Sequence, residues 1–72
     1  MAEQIIVTMT HVRAAGLCSR GAKQWFARNG LDFRTFLTEG YPVEVIEGTQ
    51  DALGLKVAAL TRQMHAEGDG EQ

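Results

Sequence analysis

Ala15-Gly16-Leu17-Cys18-Ser19-Arg20-Gly21-Ala22-Lys23-Gln24-Trp25-Phe26-Ala27-Arg28-Asn29-Gly30-Leu31-Asp32 is the stretch that decides the fold. It reads as a helix end, a tight turn, a second helix carrying the single Trp, and a second glycine stop before a third helix start. Ser19 offers a hydroxyl cap for a helix over 20–29, and Gly30 offers the left-handed residue that ends it. Ala22, Trp25, Phe26 and Asn29 recur at i, i+3, i+4 and i+7, which makes one inward stripe. Arg20, Lys23, Gln24 and Arg28 fall mostly elsewhere and face water or a ligand. Trp25 and Phe26 are adjacent and cannot point the same way. The pair reads first as core; with Phe26 inward, Trp25 at the margin is also a candidate anchor for a protein interface.

Working back from Gly16, Thr10 reads as the cap of a short helix over 11–15. Residues 4–9 (Gln-Ile-Ile-Val-Thr-Met) have the β-branched, apolar make-up of a strand. No second good strand is evident, so this segment is expected to be an extended arm over the helices or to pair with a second copy. Working forward, Asp32 caps a helix over 33–39 with Phe33, Phe36 and Leu37 inward, and Gly40 stops it. Pro42 suits the first turn of a fourth helix over 42–47, with Val43 and Ile46 buried. Thr49 or Asp51 caps a last helix to about residue 66, whose Leu53, Val57, Leu60 and Met64 form an amphipathic stripe. Gly54 inside it points to close packing. Residues 67–72 are polar and Gly-rich and are expected to be disordered.

The fold class is therefore mainly α. A compact bundle of four or five short helices spans residues 1–66, with a short N-terminal strand or arm and a disordered tail at 67–72. One domain of 72 residues buries only ~60% of the surface its unfolded chain exposes. Cys18 is alone, which argues for a reducing compartment or a buried thiol. The N-terminus lacks the basic, apolar pattern of a signal peptide, and no run approaches the ~18 to 20 apolar residues of a membrane span. A cytoplasmic setting is expected, with no membrane partner.

Charge is segregated along the chain. Residues 1–34 carry Arg13, Arg20, Lys23, Arg28 and Arg34 against Glu3 and Asp32, a net of +3. Residues 35–72 carry Lys56 and Arg62 against seven acidic residues, a net of −5. Solvated faces produce such a split, and so does an N-terminal half built to meet an acidic partner. His11, His65 and Cys18 have no metal-ligand spacing. Glu39, Glu44, Glu47 and Asp51 read as a solvated acidic run, and Gly16, Gly21 and Gly30 do not make a phosphate loop. The sequence leads to no catalytic residue, no metal and no cofactor, and so to a protein that is not an enzyme.

The segment from Thr10 through Arg28 loosely resembles helix-turn-helix regulators of the mercury-resistance type and small terminase subunits, which share a Gly-apolar-x-Ser turn and a Gly-Leu ending. That resemblance implies a DNA partner, with Arg20, Lys23, Gln24 and Arg28 as contacts and Arg13 beside them. Cys18-Ser19-Arg20-Gly21-Ala22, Trp25-Phe26-Ala27-Arg28, Gly30-Leu31-Asp32-Phe33, Phe36-Leu37, Gly40-Tyr41-Pro42 and Asp51-Ala52-Leu53 together resemble a group of small proteins of tailed phages and prophages. The resemblance spans about residues 7 to 60. It implies a non-enzymatic phage or prophage interaction protein, encoded among head and tail morphogenesis genes, in a bacterial cytoplasm or a virion. Three expectations follow: a structural or assembly factor working through protein contacts, a helix-turn-helix DNA binder, and a small inhibitor of a host protein. An exposed strand at 5–9, open to a second copy, and a surface Trp25 would favour the first. The second requires Arg20, Lys23, Gln24 and Arg28 on one exposed face of the second helix, with Trp25 partly inward.

Overall fold

The computed structural model describes residues 4–70, with side chains through residue 66; the last helix runs to Gly70, beyond the end expected near residue 66, and residues 71–72 of the expected disordered tail lie outside the described residues. Among the described residues the chain forms five helices and one two-stranded sheet. Strand β1 (Ile6–Val7) leads into α1 (Met9–Ala14), then α2 (Ser19–Arg28) and α3 (Phe33–Glu39). Strand β2 (Tyr41–Pro42), α4 (Val43–Gly48) and α5 (Ala52–Gly70) complete the fold.

The N-terminal strand has its partner within the chain. β1 pairs antiparallel with β2, Ile6 opposite Pro42 and Val7 opposite Tyr41. The Val43 N–H donates to the Ile5 carbonyl at 2.9 Å and extends the pairing. A strand of two residues containing a proline has no alternating pattern, which is why the sequence showed none. Gly40 makes it possible: its φ of +76° turns the chain out of α3, and a Cβ there would lie 2.5 Å from Ile6 Cγ2. One edge of Ile6–Val7 is thereby paired within the chain, which the expectation of an unpaired arm did not foresee.

β1 is shorter than the apolar run, because Thr8 leaves the strand to cap α1. The helix starts two residues before the expected 11–15. Its N-terminus is closed by His11, whose Nδ1 accepts the Thr8 N–H at 3.0 Å. Three residues separate the pair, the spacing at which Glu or Gln ordinarily performs this capping.

The core holds Val7, Val12, Ala22, Trp25, Phe26, Phe36, Val43, Ile46, Val57 and Ala58. Phe26 faces α3 and β2, with ring centroids 4.5 Å from Phe36 and 5.9 Å from Tyr41. Leu37 was expected inward, but it is 56% exposed. A step of about 100° beyond Phe36 carries it off the short face that the aromatic rings fill. α4 buries Val43 and Ile46 as expected. On α5 the innermost residues are Gly54, Val57, Ala58 and Thr61, while Leu53, Leu60 and Met64 are half-buried. The stripe of large side chains therefore marks one margin of the buried face. Its centre is small, which lets α4 and the Trp25 indole approach closely.

Candidate nucleic-acid interface

The turn between α1 and α2 follows from three residues. Gly16 takes φ +95°, and its N–H donates to the Arg13 carbonyl at 2.9 Å. The Leu17 N–H donates to the Val12 carbonyl at 3.2 Å, while Leu17 packs on the core. These paired bonds close a helix through a left-handed glycine. The same arrangement recurs at the end of α2: Gly30 has φ +72°, its N–H donates to Ala27, and the Leu31 N–H donates to Phe26 at 2.9 Å. Each Gly-Leu pair thus ends one helix and pins the start of the next segment to the core.

α2 begins one residue earlier than expected. Its cap is Cys18, whose Sγ accepts the Gly21 N–H at 3.4 Å. Leu17 must point into the core, and the next residue is then the extended one that caps. Ser19 becomes the first residue of the helix. Cys18 is exposed, not packed in the turn. The Gly21 N–H, helped by the Arg20 charge, holds its thiol below the ordinary value.

Arg20, Lys23, Gln24, Ala27 and Arg28 are exposed along α2, and Arg13 is exposed on α1. Ala22, Trp25 and Phe26 are buried on the opposite side. Among the described residues, no ion pair engages Arg13, Arg20, Lys23 or Arg28. Two carboxylates have other partners. Asp32 caps α3 and accepts from the Thr35 hydroxyl at 2.6 Å. Glu47 is held by both Arg62 Nε at 2.8 Å and Nη2 at 2.9 Å.

The expectation for Trp25 is corrected. Its side chain is 4% exposed, so it is no surface anchor. The adjacent aromatics diverge as required, but α5 covers the indole. Trp25 Nε1 donates to Asp51 Oδ2 at 2.7 Å, and the same oxygen accepts from Leu53 N and Gly54 N at the start of α5. The indole N–H, followed by those backbone N–H groups and the Arg28 charge, holds the Asp51 carboxyl below the usual range. Sequence reading offered Asp51, beside Thr49, as the cap of this helix and missed its second role. The partners are 26 residues apart, and nothing local links them.

The remaining concave features are simple. A void of about 20 Å³ lies among Val7, Val12, Trp25 and Val57, far below the volume of a small-molecule site. An open groove between the end of α1 and α5 is lined mainly by Ala14, Ala15, Ala59 and Leu60, with Lys56 and Gln63 at its edge. Among the described residues, no group of three His, Cys, Asp or Glu could hold a metal ion. No helix among them is long and apolar enough to cross a membrane. Compared with known families, curated proteins and solved structures, the chain matches none, so the reading of its exposed basic helix rests on its own geometry.

Proposed function

We propose that this chain is a helix-turn-helix DNA-binding protein in which α2 enters the major groove. One observation carries the reading: Arg20, Lys23, Gln24 and Arg28 share the exposed side of α2, with Trp25 on the buried side. The left-handed turn at Gly16 fixes α1 against that helix, and Arg13 adds a cation beside it. A guanidinium or ammonium held in no ion pair can replace a phosphate counterion; Arg28, whose charge also reaches Asp51, shares its field with that carboxylate. The competing reading, an assembly factor acting through protein contacts at an open strand and a surface indole, draws less support. β1 is paired within the chain and Trp25 is covered.

The test is fluorescence anisotropy of labelled duplex DNA titrated with the protein at about 50 and 200 mM salt. Binding at micromolar concentration or tighter is expected. Phosphate contacts by Arg13, Lys23 and Arg28 would make log K fall with log salt at a slope of about −3. No binding at the lower salt would remove this reading and return a protein partner to first place.

A further inference from the structure

Resting on the DNA-binding reading above, we infer a division of labour along α2: Arg20, Gln24 and Ala27 read base edges, while Lys23 and Arg28 grip the phosphates of the two strands. Arg20, Gln24 and Ala27 stand at i, i+4 and i+7, so they form one line along the helix. That line is opposite the buried side made by Ala22, Trp25 and Phe26. Lys23 and Arg28 lie roughly 60 to 80° to either side of it at the helical step of about 100° per residue. A helix about 10 to 12 Å across fills a major groove about 12 Å wide. Its outermost line then meets the groove floor and its flanks meet the walls.

The chemistry along the line fits base edges. The Arg20 guanidinium matches the O6 and N7 acceptors of guanine, the Gln24 amide matches the N6 donor and N7 acceptor of adenine, and the Ala27 methyl suits the thymine methyl. No hydrogen bond or ion pair among the described residues occupies the side chains of Arg20 or Gln24. Four residues rise ~6 Å along α2, and stacked base pairs rise ~3.4 Å, so the adenine should lie about two steps from the guanine. Lys23 and Arg28 present cations at the walls, where they add affinity for any sequence.

The experiment selects bound molecules from a library of duplexes randomised over about ten base pairs and repeats the selection with variants, each checked for native circular dichroism. The wild-type chain should enrich a guanine and an adenine about two steps apart. Gln24→Ala should lower discrimination at the adenine position about tenfold and leave the salt slope unchanged. Gln24→Arg should shift that position toward guanine. Lys23→Ala and Arg28→Ala should keep the preferred sequence and each reduce the salt slope by about 0.9. Uniform weakening by Gln24→Ala, or altered base preference from Lys23→Ala or Arg28→Ala, would overturn the division. Failure of every duplex to bind would instead overturn the DNA-binding reading itself, and the division with it.

Discussion

Gly54 shows how one missing side chain sets the closeness of two helices. It sits in the third position of α5, where glycine ordinarily costs ~1 kcal/mol relative to alanine. A Cβ there would lie 2.7 Å from Trp25 Cζ2, 2.9 Å from Thr49 Oγ1 and 3.2 Å from the Ile46 carbonyl. The indole cannot retreat, because its N–H is held by Asp51 and its edge packs against Phe26 with centroids 5.2 Å apart. Gly54→Ala should therefore destabilise the protein by about 1 to 2 kcal/mol, the cost of overpacking exceeding the gain in helix propensity. Gly48 provides the control, since nothing lies within 4 Å of its Cβ position. Gly48→Ala should be neutral or slightly stabilising. Urea melts of the two variants check the contrast, and equal effects would mean that the indole does not press on Gly54.

At the scale of the element, α1 depends on an imidazole in its neutral form. Nδ1 of His11 accepts the Thr8 N–H, and a proton on that nitrogen would turn an acceptor toward a donor. Burial lowers the pKa of His11 below its ordinary value of 6.5. The neutral form is thus favoured by folding, so the contribution of His11 is fully present above pH 6.5 and is lost as the pH falls through the lower folded value. Thermal melts should show stability declining as the pH falls below 6.5, ahead of the carboxylates. His11→Gln, which keeps an acceptor at the capping position, should flatten that decline. A decline of the same size in the variant would place its origin elsewhere. Elements like this one also show what a sequence reveals. The Gly-Leu endings of α1 and α2, the Asp32 and Asp51 caps, and the buried Val43–Ile46 pair were all legible, because each is set by neighbours within one turn. Helix starts shifted by one or two residues at Thr8 and Cys18, because histidine and cysteine performed capping work usually assigned to other side chains. β2 and the Trp25–Asp51 bond were not legible, since each joins residues far apart and depends on how whole helices dock. The exposure of the basic residues on α2 and the inward place of Trp25 were legible from periodicity, and the covering of the indole by α5 was not.

For the whole molecule, the decisive property is the segregation of charge, +3 over residues 1–34 and −5 over 35–72. On the DNA-binding reading, the acidic half opposes approach to a polyanion in any orientation except α2 first. Glu39 and Glu44 are exposed and lie on α3 and α4, away from the helix that carries the contacts. Neither forms an ion pair among the described residues, so neutralising them should leave the fold intact. The doubly neutralised chain, Glu39→Gln with Glu44→Gln, should bind duplex DNA about twofold more tightly at low ionic strength, through long-range attraction alone. The gain should vanish near 0.15 M salt, where the screening length falls to about 8 Å, and base preference should be unchanged throughout. Anisotropy titrations across a salt series measure both. A gain that persists at high salt would mean that these carboxylates touch the DNA, which would place α3 and α4 at the interface and move the contact surface away from α2.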